Sequence, residues 1–253
     1  MYFDVLAENS KSFAAAAELG LDPQVPGCPD WNLGQLVVHL GDVYDFWGHV
    51  IEANTTDPKA VEQLHEGLTH EREARNATGF SSSPGAIAFF NDRAQYILTL
   101  LSDADPSRPS WTWWPGNQTV GFIQRRMAHE TTIHRWDAQS AHGLAKPIDP
   151  PEVAADGIDE NLMNELTGWP EEERSFPTAS IHLHCTDAPG EWLIRTDGSQ
   201  VSVTEEHAKA DVALVGPASD LLLILWDRQE LDSVTVHGDA TVFTAFRDKI
   251  DHE

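Results

Sequence analysis

Three side chains of metal-binding type occupy helix-like segments of the chain: His39, Glu130 and His134. Glu130 and His134 are four residues apart, which places them on one face of an α-helix because the helix turns once every ~3.6 residues. His39 lies between Leu36 and Val43 on the apolar face of an earlier segment. An unpaired charge facing a helical interior is costly, and one divalent cation would satisfy all three groups. A carboxylate and two imidazoles leave one position for water or substrate, as in catalytic zinc sites.

Simpler interpretations exist for each of these side chains. A glutamate and a histidine at this spacing also occur as a surface hydrogen-bonded pair, and a lone histidine on an apolar face is commonly a satisfied core residue. His129 makes residues 129–134 similar to the HExxH zinc signature, but with one residue too many. Histidines five apart diverge by about 140° around a helix and cannot share a metal in that way. We therefore expect His129 to point toward a neighbouring helix or the surface.

Two further groups could do chemistry. His182 and His184 alternate on a predicted strand, so they share a face and could form a second site. Exposed strand histidines are the simpler interpretation, and it is favoured. Three tryptophans in one loop could line a pocket or pack beneath that loop: Trp111, Trp113 and Trp114.

The elements that must position these residues are predicted from apolar periodicity. Asn32 and Gln35 stand in the relation of a capping box, and Gly20 is expected to end the first helix. The predicted helices cover residues 2–19, 32–50, 83–101, 119–142 and 152–166. Short alternating strands follow at residues 181–184, 191–195, 200–204, 212–215 and 234–236, with helices at 218–226 and 240–250. Helices first and strands later predict an α+β chain, an all-α domain joined to a small α/β domain.

Composition excludes several classes of function. The 253 residues include 41 acidic and 16 basic side chains, a formal net charge of −25. This charge repels nucleic-acid backbones and anionic membranes, so neither is expected as a partner. The sequence has no apolar run of membrane length and no recognisable secretory signal. Cys28 and Cys185 form no CxxC pair, and a reduced, cytoplasmic setting is expected.

Several segments carry a resemblance to a known family. Residues 25–32 (VPGCPDWN) and 36–41 (LVVHLG) resemble the N-terminal signature of the mycothiol-dependent maleylpyruvate isomerase family. Residues 126–138 (RMAHETTIHRWDA) resemble its second signature. Residues 220–228 and 236–239 are similar to the C-terminal domain of the family, so the resemblance covers most of the chain.

The resemblance implies an architecture and a set of site residues. It implies a DinB-like four-helix bundle with a central metal over residues 1–170, and a sterol-carrier-like α/β domain over residues 176–253. The family's metal ligands match His39, Glu130 and His134, and its members use the thiol mycothiol as cosubstrate. A zinc ion with an open position would hold the thiol as a thiolate near neutral pH. Arg228 could bind a substrate carboxylate and so act in catalysis, although a surface arginine in a turn is equally compatible.

Three hypotheses about function follow. The leading one is a metal-dependent enzyme, with zinc as the expected metal, that uses mycothiol to isomerise a small electrophile or to transfer sulfur to it. The second is a small-molecule binding or carrier protein in which the metal is structural. The third is a mycothiol-independent metalloenzyme of specialised biosynthesis. The expected partners are a small-molecule substrate and a thiol, and the chain is expected to be a monomer or a homodimer.

Overall fold

The computed structural model describes residues 1–167 and 175–250, and the chain divides into two compact units, Met1–Lys146 and Pro147–Glu253. The first unit is helical apart from one short hairpin, and the second contains a five-stranded sheet with helices. The predicted α+β class is therefore confirmed. The helix Pro151–Thr167 packs on elements of the second unit.

The first unit contains five helices, which are α1 (Tyr2–Ala17), α2 (Leu33–Ala53), α3 (Pro58–Asn76), α4 (Pro84–Ser102) and α5 (Val120–Ala141). Four of them form a bundle, in which α1 packs against α5 and α2 against α4. Between α1 and α2 the chain forms an antiparallel hairpin of β1 (Gln24–Val25) and β2 (Cys28–Asn32). Helix α3 lies outside the four-helix core and was not predicted.

Side-chain caps fix the starts of α2 and α5. The Gln35 backbone N–H donates to Asn32 Oδ1 (2.9 Å), and the Asn32 N–H donates to Gln35 Oε1 (3.0 Å), which confirms the predicted capping box. Thr119 Oγ1 accepts the Phe122 N–H at the start of α5. These caps satisfy backbone donors that have no partner within the helix. They set the beginning of the two helices that carry His39 and Glu130.

A buried core fills the bundle between its helices. Phe13 of α1 and Phe90 of α4 lie with ring centroids 4.7 Å apart, and both are buried. Tyr44 of α2 is also fully buried, and its hydroxyl makes hydrogen bonds with Ser10 (3.0 Å) and Thr131 (2.6 Å). The Tyr44 hydroxyl therefore links α1, α2 and α5, five residues along α2 from His39.

The second unit is an α/β structure. Its strands are β3 (Phe176–Cys185), β4 (Glu191–Gly198), β5 (Gln200–Thr204), β6 (Val212–Gly216) and β7 (Thr235–Gly238), in the order β5-β4-β3-β6-β7. Only β3 and β6 pair in parallel among the strands described. The helices are α6 (Pro151–Thr167), α7 (Ala218–Leu225) and α8 (Ala240–Arg247). Ile181 and Leu183 on one face of β3 are fully buried, and His182 and His184 lie on the other.

Within residues 1–167 and 175–250, no helix combines the length and apolar character that a membrane crossing requires.

Candidate metal centre

The structure brings His39 of α2 together with Glu130 and His134 of α5. Glu130 Oε1 lies 3.4 Å from His39 Nε2 and 3.2 Å from His134 Nε2. Ligands at zinc–ligand distances of about 2.0–2.1 Å in a tetrahedron lie about 3.3 Å from one another. One divalent cation therefore fits among these three atoms with little movement. Three ligand-type side chains meet here in the described part of the chain, which leaves the fourth tetrahedral position to another molecule.

The two imidazole rings are held at different angles. Their centroids lie 5.2 Å apart with an interplanar angle of 85°, so that the Nε2 atoms converge on the same carboxylate oxygen. The Trp31 indole packs on the His39 ring at a centroid distance of 4.7 Å. Trp31 belongs to β2, immediately before the Asn32 cap. The hairpin therefore positions the indole that packs on the His39 imidazole.

Asp137 orients His134 from behind. The His134 Nδ1–H donates to Asp137 Oδ2 (3.0 Å), and Asp137 is fully buried. A carboxylate on the second imidazole nitrogen fixes the tautomer whose Nε2 can bind a metal. The Cys28 thiol lies 3.9 Å from the same carboxylate oxygen. Sequence reasoning missed Asp137, although its place three residues after His134 put it on the same helix face.

Charge holds Glu130 ionised. Arg126 Nη2, one turn earlier, donates to Glu130 Oε2 (2.5 Å), which leaves Oε1 toward the imidazoles. Burial alone would raise the pKa of Glu130, but the charges of His134 and Arg126 hold that pKa well below its ordinary value. Burial would likewise lower the pKa of His134, but Glu130 and the hydrogen bond to Asp137 raise it to about 9. The pair therefore carries opposite charges in the absence of any other cation.

A cavity of about 330 Å³ reaches His39 from outside the bundle. Its lining residues come from α2, α3 and the segments beside them: Trp31, Gln35, Val38, His39, Asp42, Arg72, Asn76 and Ser81. Within it Asp42 forms ion pairs with Arg72 (3.2 Å) and Arg75. A small polar molecule in this cavity would contact His39 directly.

Comparison with known proteins identifies the family. The sequence model of the mycothiol maleylpyruvate isomerase N-terminal domain matches residues 4–139, and the model of the C-terminal domain of that isomerase matches residues 152–245. The chain belongs to the mycothiol maleylpyruvate isomerase family. It is thus an isomerase-like enzyme by family. The resemblance in the two helical signatures is confirmed.

Two solved structures share the fold of this family member. One is the crystal structure of a mycothiol-dependent maleylpyruvate isomerase, at 13% sequence identity. The other is the crystal structure of a histidine-to-alanine mutant of a mycothiol-dependent maleylpyruvate isomerase, at 11% identity. Each alignment covers 94% of this chain and 93% of the other, with a TM-score of 0.60. No curated protein sequence matches the chain significantly.

The other aromatic and histidine residues singled out in the bundle lie apart from this centre. His129 is buried against Tyr2 of α1, with ring centroids 6.1 Å apart, so it points toward a neighbouring helix as predicted. Trp111 and Trp113 pack on Trp47, at centroid distances of 6.1 Å and 5.2 Å. The loop tryptophans therefore favour the packing interpretation.

Arg228 lies in the C-terminal domain of the family, after the end of α7. Its Nη1 donates to the Trp226 carbonyl (2.9 Å), and its guanidinium carbon lies 5.9 Å from the Trp226 ring centroid. This position in a turn is compatible with both interpretations of Arg228, and its catalytic role stays a prediction.

The expectation that the strand histidines are exposed is wrong for His182. Only 5% of His182 is exposed, and both His182 and His184 contact Glu191 of β4. The alternation of the two histidines on β3 was visible in the sequence. Their common partner was not, because it comes from the pairing of β3 with β4.

Proposed function

We propose that this family member is a zinc-dependent enzyme that uses mycothiol to isomerise a small electrophile or to transfer sulfur to it. The proposal is carried by the convergence of three ligand atoms: His39 Nε2, Glu130 Oε1 and His134 Nε2. Their separations match those between the ligands of a single metal ion. Two imidazoles and one carboxylate are the ligand set of catalytic zinc sites. Three ligands with a cavity beside them favour an open, catalytic position over the closed site of a carrier protein.

Each residue around the centre then has a task. His39, Glu130 and His134 would hold the metal, Asp137 keeps the His134 imidazole in the required tautomer, and Arg126 holds the second oxygen of Glu130. A bound zinc ion would supply positive charge that lowers the pKa of a thiol beside it, so that the thiolate forms near neutral pH. The cavity beside His39 would admit the polar thiol.

The reaction we propose for an isomerase conserves atoms and electrons. The thiolate sulfur adds to one carbon of an activated cis double bond, and the electron pair moves into the neighbouring carbonyl. The carbon–carbon bond, now single, rotates. The carbon–sulfur bond then breaks as the double bond re-forms in the trans arrangement, and the thiolate returns unchanged. Arg228, if it faces the substrate, would bind a carboxylate through two parallel hydrogen bonds. A reduced cytoplasm would keep such a thiol available.

Titration with mycothiol tests the use of the thiol. Only deprotonated sulfur binds a metal well, so each binding event should release close to one proton per bundle site in weakly buffered solution near neutral pH. The chelator-treated protein, matched in concentration, should release almost none. Binding of mycothiol without proton release in the zinc-loaded protein would contradict the thiolate mechanism.

A further inference from the structure

We propose that the second unit carries a metal site of its own, in which His182, His184, Glu191 and His207 bind one zinc-class divalent cation. Their ligand atoms all lie within 4.8 Å of one another. This site is separate from the bundle centre and has no part in the thiol chemistry proposed above.

The sheet brings three of the four residues together. His184 on β3 lies directly opposite Glu191 on β4, and directly opposite residues of an antiparallel pair share a face. His182 is two residues earlier on β3, so it lies on the same face as His184. His207 comes from the segment that follows β5. The four ligands thus come from three separate stretches of the chain, as is common for sites that depend on a folded sheet.

One oxygen of Glu191 has more hydrogen-bond donors around it than it can accept from. Its Oε1 lies 2.9 Å from His182 Nε2, 2.9 Å from His184 Nδ1 and 2.5 Å from His207 Nδ1. A carboxylate oxygen has about two lone-pair positions for hydrogen bonds, so three imidazole donors exceed its capacity. A cation among the four groups removes the conflict, because each imidazole then contributes a lone pair instead of a proton.

The arrangement needs one small adjustment to hold a cation. The three oxygen–nitrogen distances are shorter than the about 3.3 Å between ligands of a tetrahedral zinc ion. Glu191 can move because it is 26% exposed and is the first residue of β4, whereas His182 is buried. Lengthening the three distances to about 3.3 Å requires Oε1 to move by less than about 1 Å, which makes room for an ion among the four ligand atoms.

Charge and chemistry point to the kind of ion. Glu191 supplies a carboxylate oxygen to the cluster of three imidazoles. A cavity of about 610 Å³ beside it is lined by several acidic residues that favour entry of a cation: Glu152, Asp156, Asp159, Glu205 and Glu206. Three imidazoles with one carboxylate select zinc or a similar transition ion over calcium or magnesium, which prefer oxygen ligands.

Four protein ligands are typical of a structural zinc site. His207 is 80% exposed and lies in the segment between β5 and β6, so an ion would join this segment to the sheet. We therefore expect the ion to stabilise the second unit rather than to act on a substrate.

Metal stoichiometry in the full-length protein without an affinity tag tests the proposal. After equilibrium dialysis against zinc, elemental analysis should give two ions per chain for the wild type and one for the His182→Ala/His184→Ala variant. His237→Ala is the matched control, because His237 lines the adjoining cavity without belonging to the cluster. Two ions retained by the double variant, or an equal loss in the control, would overturn the site.

A milder variant guards against misfolding. His207→Ala removes an exposed ligand and should weaken zinc binding at this site by at least about tenfold, while the circular dichroism spectrum stays unchanged. His70→Ala replaces a histidine of similar exposure on α3 and should have no effect. Unchanged zinc affinity in His207→Ala would contradict the four-ligand site. Because the bundle centre is tested by His39→Ala, the two assignments can fail independently.

Discussion

At the residue scale, the bundle centre depends on how the two oxygens of one carboxylate are used. Glu130 Oε2 accepts from Arg126, and Oε1 faces His39 and His134. The carboxylate therefore has a fixed orientation before any ligand arrives, which lowers the entropic cost of binding a cation. Asp137 likewise fixes the orientation of the His134 imidazole through its hydrogen bond to Nδ1.

The first prediction concerns Asp137. Asp137→Asn keeps the size of the side chain but removes the charge that fixes the His134 tautomer, so zinc affinity at the bundle centre should fall by about 10–100-fold. Competition with a chromophoric chelator measures this affinity. Asp105→Asn is the control, since Asp105 is an exposed carboxylate whose hydrogen bonds come from Ser107. Equal affinity of wild type and Asp137→Asn would remove Asp137 from the centre.

Helical spacing placed Glu130 and His134 on one helix face and His39 on the apolar face of its own helix, and the family resemblance matched all three to one metal site. The same rule could have found Asp137. It could not have found the contacts of Glu191, because these depend on the register of β3 and β4 and on the position of the segment that carries His207. Local sequence does not determine such long-range pairing.

At the element scale, α2 positions the centre by packing very closely on its neighbours. A Cβ atom at Gly34 would lie 2.1 Å from the Ser81 carbonyl oxygen, and one at Gly41 would lie 2.6 Å from the Phe89 ring. Because glycine has no Cβ atom, α2 can approach α4 at Gly41 and the 3₁₀ turn Phe80–Ser82 at Gly34. Ser81 also lines the cavity beside His39, so this approach shapes the candidate site.

The second prediction follows from that packing. Gly34→Ala should lower the free energy of unfolding by about 1–3 kcal/mol, because the obstructing atom belongs to the backbone and cannot rotate away. Gly67→Ala on α3 is the matched control. It meets nothing within 4 Å and should stabilise the helix by up to about 1 kcal/mol. Urea denaturation measures both changes, and a neutral Gly34→Ala would show that α2 is not held at this distance.

The elements themselves were predictable to different degrees. Helices with an apolar stripe and a cap were found from the sequence, and α2 starts at its predicted capping box. Helix α3 was missed because its sequence is largely polar and only Val61 among its residues is buried. Without an apolar stripe, the periodicity that indicates a helix is weak.

At the scale of the whole molecule, the candidate site residues are divided between the two compact units. All three residues of the bundle centre lie within Met1–Lys146, and both Arg228 and the second histidine cluster lie within Pro147–Glu253. Metal binding at the bundle therefore requires one unit, whereas turnover, if Arg228 orients the substrate, requires both.

The third prediction tests this separation. A chain truncated after Lys146 should bind one zinc ion with nearly the affinity of the bundle site in the full-length protein, but it should not turn over substrate. Arg228→Ala in the full chain should likewise retain metal and lose turnover, with Arg228→Lys restoring only part of it because lysine cannot make the bidentate contact. Full activity of the truncated chain would show that the second unit takes no part in catalysis.

Cobalt absorption tests the central claim most directly, because one spectrum reports both the metal and the thiol. The His182→Ala/His184→Ala variant is loaded with one equivalent of cobalt, so that the bundle site is the one observed, and it is then titrated with mycothiol. We predict an intense sulfur-to-cobalt charge-transfer band that saturates at one thiol per ion, that is absent when His39→Ala is added, and that persists when His129→Ala is added instead. The absence of this band in protein that retains its cobalt, or an equal band with His39 replaced, would contradict the account.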